Sequence, residues 1–297
     1  MLVSPAMLLA ILLSSFSQAL HAESPQLDPL ALQKIVQRAV NIHKSWGSRM
    51  NSPGASVEIK EIYRRPGPGQ TVVAYHVYVK GVPVAKNYTL MQAAIVTGKI
   101  STTMEGVTFD KDGLAICAGR PETCGDADKP DDPIDFILPS QRGESHHLSL
   151  VSEDGQSKVF FSITPFPIVA TDHGCTVELT PLMAQAALVY VKATGLSPNE
   201  KLKFESASEF EPHHQDAQAD AQGAYDSALL RAVKGIASGT LQVTVRGKSC
   251  APAATIDWGP ASMHNHSSRW RAPLLIKRIQ QKTNPERPVF REYTRLS

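Results

Sequence analysis

Thr71-Val72-Val73-Ala74-Tyr75-His76-Val77-Tyr78-Val79 decides how this chain is read. Seven of its nine residues are β-branched or aromatic, side chains that suit a pleated and half-buried surface, so the stretch predicts a strand. Just upstream, Ala55-Ser56-Val57-Glu58-Ile59-Lys60-Glu61-Ile62-Tyr63 alternates loosely between apolar and polar residues. Arg64-Arg65-Pro66-Gly67-Pro68-Gly69 lies between them and has the composition of a turn or loop. Downstream, Gly81 and Pro83 interrupt the pattern, and residues 88–95 and 100–109 supply further strands. Asp110-Lys111-Asp112-Gly113 predicts a hairpin turn before Leu114-Ala115-Ile116-Cys117, so Asp110 and Asp112 are read as turn residues.

A helix precedes these strands. Asp28 can cap it with Pro29 at its first position, and Leu32, Ile35, Val36, Ala39, Val40 and Ile42 share one face. Trp46-Gly47 ends the pattern. Lys34, Arg38 and Lys44 lie on the other side, and docking on a sheet is expected in preference to lying on a membrane. Before the helix, Ala6-Met7-Leu8-Leu9-Ala10-Ile11-Leu12-Leu13 is apolar but too short to span a bilayer, and Ala19-Leu20-His21-Ala22 offers a cleavage point. Residues 1–22 are therefore read as a secretory signal, although no Lys or Arg precedes the apolar run.

Beyond residue 125 the composition changes. The acidic, Pro-bearing segment 126–136 reads as a linker between a helix-plus-β module at 23–125 and a β-sandwich at 137–260. In the latter, strand-sized segments recur between turn signals: 147–151 and 158–164 flank Asp154-Gly155, and 217–221 and 224–230 flank Gln222-Gly223. Pro165 and Pro167 fit an edge strand or a crossing between sheets. The expected fold class is mainly β: an N-terminal helix plus a small antiparallel β module, then an immunoglobulin-like β-sandwich.

Cys117, Cys124, Cys175 and Cys250 make an even count, which in an exported chain predicts disulfides. Three pairings are possible, of which Cys117–Cys124 and Cys175–Cys250 are favoured. The first closes a short loop containing Gly119 and Pro121, and the second ties the two ends of the C-terminal half. A zinc site would want closer pairs such as C-x2-C, which the spacing of Cys117 and Cys124 does not provide. A bridge between sheets with Trp258 near it is similar to immunoglobulin-like domains, although Trp258 follows both Cys instead of lying between them.

A wider resemblance rests on Gly113-Leu114-Ala115-Ile116-Cys117-Ala118-Gly119, on Pro165-Phe166-Pro167-Ile168 followed by Gly174-Cys175, and on Gly195-Leu196-Ser197-Pro198-Asn199-Glu200. Ser206-Ala207-Ser208-Glu209, Gly223-Ala224-Tyr225, Lys234-Gly235, Cys250-Ala251-Pro252 and Trp258-Gly259 complete it. Over about residues 105–259 the chain resembles a family of uncharacterised exported bacterial proteins with a C-terminal β-sandwich. The resemblance implies an envelope or extracellular location and carries no catalytic residues.

Sequence signatures of chemistry are sparse. There is no G-x-S-x-G elbow, H-E-x-x-H motif, P-loop or S-x-x-K. Asp126, Asp128, Asp131, Asp132 and Asp135 offer hard oxygen ligands for Ca²⁺ but lack EF-hand spacing, so a solvated linker is the favoured reading. His146-His147, His213-His214 and His264-x-His266 are paired. The segment Glu209-Phe210-Glu211-Pro212-His213-His214-Gln215-Asp216 is read as a surface loop in preference to a transition-metal site, because neighbouring side chains on a strand face opposite ways.

The 297 residues are 42% hydrophobic, enough for a sizeable core, which excludes a wholly disordered chain. The net charge of +2 conceals an asymmetry: from Arg269 the tail carries eight Arg or Lys against two Glu, which leaves the preceding body at −4. Residues 261–297 are read as a solvated basic tail that can touch an anionic surface. Together these features predict a secreted or periplasmic, non-enzymatic β-sandwich module. It binds or scaffolds at the envelope, with a cell-envelope polymer or protein as expected partner. No cofactor, metal, nucleic acid or transmembrane span is expected, and no catalytic residue is assigned. The alternative is a secreted hydrolase acting on an envelope or extracellular polymer.

Overall fold

The computed structural model describes residues 29–67, 70–117, 132–208, 211–230 and 237–259. Within them lie one α-helix, α1 (Pro29–Ser45), and two pairs of antiparallel sheets. The chain is mainly β, as its patterning predicts. Among the described residues, no helix is long and apolar enough to cross a membrane.

The first pair of sheets holds β1 (Ser56–Gly67), β2 (Gln70–Lys80) and β6 (Phe136–Ser140) against β5 (Ala115–Cys117), β4 (Lys99–Phe109), β3 (Tyr88–Ala94), β7 (His146–Ser152) and β8 (Lys158–Ile163), in the order β1-β2-β6 and β5-β4-β3-β7-β8. The deciding stretch is β2. Its alternate residues Val73, Tyr75, Val77 and Val79 face inward with Tyr88, Leu90, Val107, Phe136, Leu138, Leu148, Leu150 and Phe161. The Asp110–Gly113 turn forms as expected: the Asp110 carboxylate accepts the Asp112 and Leu114 N–H groups at 2.8 and 2.9 Å. Gly113 is required there, since φ is +83° and a Cβ would collide with the Val79 carbonyl.

The second pair is a four-on-four sandwich. One sheet has the order β14 (Tyr225–Leu230), β11 (Leu188–Thr194), β10 (Cys175–Pro181), β9 (Ile168–Asp172). The other runs β13 (Glu211–Gln218), β12 (Lys201–Ser208), β15 (Gly239–Arg246), β16 (Ala253–Trp258). Val177, Leu179, Val191, Phe204, Leu241, Val243, Ile256 and Trp258 form its core. Cys175, at the start of β10, bonds to Cys250, just before β16, so this bridge crosses from one sheet to the other. Cys117 is also disulfide-bonded, and its expected partner Cys124 lies outside the described residues.

The pairings correct three expectations. The boundary placed at 126–136, with a sandwich beginning at 137, does not match the sheets: β6 pairs with β2, and β7 pairs with β3. The reason is packing, because Phe136 and Leu138 fill the first core, Phe136 lying 6.5 Å from the Phe161 ring. The changeover falls instead at residues 165–167, so of the two readings of Pro165 and Pro167, an edge strand or a crossing between sheets, the crossing holds. Second, the His213–His214 segment is an edge strand, β13, and not a loop. Third, Arg64 to Gly67, expected in a turn or loop, continue β1 and pair with β2 as far as Gln70.

α1 joins the two halves. Ala39 is fully buried against Leu182, Leu188 and Tyr190, with Val36 and Val40 beside it. The first four residues of β11 are all buried because both faces of the strand are covered there: Val189 and Val191 face the second core, while Leu188 and Tyr190 face α1. At the C-terminal end of the helix Trp46 reaches the first half, its Nε1–H donating to the Leu148 and Phe161 carbonyls at 2.9 and 3.1 Å. Lys44 pairs with Asp226 of β14 at 2.7 Å. Trp46→Phe keeps an aromatic side chain and removes the donor. It is expected to lower unfolding stability by about 1 kcal/mol, measured by urea titration.

Candidate binding cleft

A β-bulge builds the most distinctive surface site. On β1, Glu61 lies opposite Tyr75 and Arg64 opposite Val73, with the register shifted between Glu61 and Tyr63. Residues three apart on a regular strand face opposite ways; the extra residue puts Glu61 and Arg64 on the same, inward face. There the Arg64 guanidinium donates to Glu61 through Nε at 3.0 Å and Nη2 at 2.8 Å, a bidentate pair. The bond to Arg64 holds the Glu61 carboxyl below the usual carboxylate range. Arg64 also lies over the Phe166 ring, 4.4 Å from its centroid, and donates to the Pro165 carbonyl.

This arrangement stands at an open end of the first pair of sheets, at the changeover to the second. A cleft of about 540 Å³ opens here, lined by Arg64, Thr71, Ser140, Gln141, Arg142 and residues 165–167. The turn that carries Arg142 is firmly seated. Gly143 N–H donates to the Phe166 carbonyl at 2.7 Å, and the Glu144 carboxylate accepts the Gln141 N–H at 2.9 Å. Burial pushes the Glu144 carboxyl up. Gly143 has φ +81°, and a Cβ would press within 3 Å of Ile168 and Pro181, so the turn wedges against the second sandwich. Arg142 is exposed and has no ion-pair partner among the described residues, and Arg64 keeps Nη1 free of any described partner.

Beneath the cleft, Ser140 Oγ and His146 Nε2 share a 2.8 Å hydrogen bond across the two sheets. Both residues are buried, Ser140 to 1% exposure, and burial lowers the His146 pKa from 6.5 to about 4, so the ring is neutral. His147 faces the other way, as strand geometry requires, and meets α1: its Nε2 is 3.1 Å from His43 Nδ1.

The other singled-out groups do not converge. Asp135 pairs with His76 at 3.1 Å, and Asp126, Asp128 and Asp131 lie outside the described residues, as do His264, His266 and the basic tail. His213 and His214 are exposed on β13 and take successive register positions opposite Ser206 and Glu205. Among the described residues, no three His, Cys, Asp or Glu side chains are grouped to hold a metal ion. The Arg64–Arg142 cleft itself escaped the sequence reading. Arg64 sat in a segment that looked like a loop, and the bulge that aims it leaves no compositional trace. Comparison with protein-family models and with curated proteins finds no match.

Proposed function

We propose that the chain is an exported binding module of the cell envelope or exterior, and that its Arg64–Arg142 cleft takes a carboxylate-bearing group of the ligand. The supporting observation is Arg142, a cation with no ion-pair partner among the described residues, beside an Arg64 that Glu61 and Phe166 already hold in place. Preset guanidinium groups suit a planar carboxylate, and the Pro165, Phe166 and Pro167 wall suits its apolar skeleton. A disulfide across the second sandwich fits an oxidising compartment. An acidic sugar polymer and the free C-terminus of a peptide both present this chemistry.

Calorimetric titration of the full chain with oligogalacturonate, and separately with a short peptide bearing a free carboxylate, distinguishes the two sources. Arg142→Glu is expected to weaken whichever binds by about 10- to 100-fold, since charged hydrogen bonds contribute about 1.5–3 kcal/mol. Unchanged affinity in that variant would remove the cleft from the account.

One observation favours a hydrolase: the Ser140–His146 pair has the spacing of a nucleophile and its base. With Ser140 only 1% exposed, a structural bond between sheets is the preferred reading. A fluorophosphonate probe decides between them. No labelling is expected, and labelling that disappears in Ser140→Ala would replace the binding proposal with the hydrolase.

A further inference from the structure

We propose that His43 and His147 form an acid-labile clasp: while both rings are neutral they lock α1 to the first pair of sheets, and a proton added at their shared bond releases it. The direction of that bond follows from its neighbours. His147 Nδ1 lies 3.3 Å from the Ser145 carbonyl, which can only accept, so Nδ1 carries the His147 proton. His147 Nε2 is then the acceptor, and His43 Nδ1 donates to it across 3.1 Å. Adding a proton to His147 sets two N–H groups against each other and replaces attraction with repulsion.

The surroundings offer the extra charge no relief. His43 lies edge-on to Tyr190 of β11, with ring centroids 4.8 Å apart, and His147 lies edge-on to Trp46 at 6.0 Å. Of the titratable groups around the pair, Lys192 on β11 acts on His43; Tyr190 on β11 packs on it, with Asp226 on β14 and Glu178 on β10 close to Tyr190 and Lys44 on α1 paired to Asp226; His146 on β7 acts on His147 from the opposite face of the strand. Asp226 is held by Lys44, Glu178 lies opposite Lys192 in the β10–β11 ladder, and the charge that acts on His43 is the cation Lys192. Burial first, then Lys192, lowers His43 to about 4; burial first, then the charge on His43, lowers His147 to about 3.

The clasp sits where release matters. The same helix lays Ala39, Val36 and Val40 on the second sandwich and Trp46 on the first, so undocking its C-terminal turn uncouples the halves. In the released state each ring regains an ordinary pKa near 6.5. Each exposed ring then favours release tenfold per pH unit below that value, until its docked pKa is reached. For two rings the shift between pH 7.5 and 5 is about a thousandfold. His146 takes no part, because it is sealed inside the first pair of sheets.

Hydrogen exchange on the full chain at pH 7.5 and 5, corrected for intrinsic rates, tests this. Amides of residues 36–46 are expected to lose about a thousandfold of protection while those of 241–245 keep theirs. In His43→Gln, which retains a donor to His147, the loss between the two pH values should shrink to about thirtyfold. Unchanged α1 protection at pH 5, loss shared equally by 241–245, or a wild-type pH response in His43→Gln would each overturn the proposal.

Discussion

Unfolding stability is expected to fall steeply as the pH drops from about 6.5 towards 4. His43, His146 and His147 have folded pKa values lowered to about 4, 4 and 3, chiefly by burial. In this window the unfolded chain binds a proton at each ring and the folded chain does not, so stability is lost as the pH falls. The slope is about 1.4 kcal/mol per pH unit for each ring, hence about 4 for the three. Glu144 and Asp135 run the other way, because burial raises their carboxyls and they take up protons readily when folded. Asp154, Asp172 and Glu200 add losses only at lower pH. Their carboxyls are held below the usual range by Lys86, by the Ala251 N–H and by the Lys248 N–H respectively, stabilisation that disappears as they protonate. Urea titrations at pH 7.5, 6.5 and 5.5 read the slope. Equal stability at 7.5 and 5.5 would mean that the three rings are not buried as neutral groups. Release of α1 involves two of these rings and global unfolding all three, so the two processes differ in proton count.

Replacing Cys175 and Cys250 together by Ala is expected to lower unfolding stability by about 4.5 kcal/mol. The bridge spans 75 residues, and cross-linking a loop of that size removes about this much chain entropy from the unfolded state. That is a large share of the roughly 5–15 kcal/mol that holds a domain folded. The double variant should show a lower urea midpoint, and the second sandwich should lose hydrogen-exchange protection before the first. A loss below about 1 kcal/mol would show that the bridge does not restrain the unfolded chain. Separately, thiol counting on the denatured, unreduced protein should find no free Cys. Four free thiols would sink both the pairing and the oxidising compartment.

What the sequence could show, and what it hid, divides along physical lines. Local patterning was readable: the helix ends at Trp46-Gly47 because Gly47 adopts φ +135°, and the Asp110–Gly113 turn is written in its own residues. Partnership between distant strands was not. Residues 126–136 have the composition of a linker, yet a strand begins at the apolar run Phe136-Ile137-Leu138, and its partner, β2, lies some 60 residues earlier. His146-His147 read as a polar pair, although the run His147-Leu148-Ser149-Leu150 is buried on both faces once α1 covers one side. For the cleft, the residue types were in view but not their aim. The inward turn of Arg64 depends on one bulge, and Arg142 is placed by the packing of Gly143 against Ile168 and Pro181.

The claim on which the functional account depends is that a carboxylate seats between Arg64 and Arg142. Side-chain and amide NMR of the full chain, titrated with oligogalacturonate and with the free-carboxylate peptide, measures it most directly, with the methyl esters of each as controls. Shifts are expected at the Arg64 and Arg142 side chains and at the amides of Ser140, Gln141 and Phe166, with at least one acid and with neither ester. Shifts confined to other surfaces, or equal shifts with acid and ester, would contradict it.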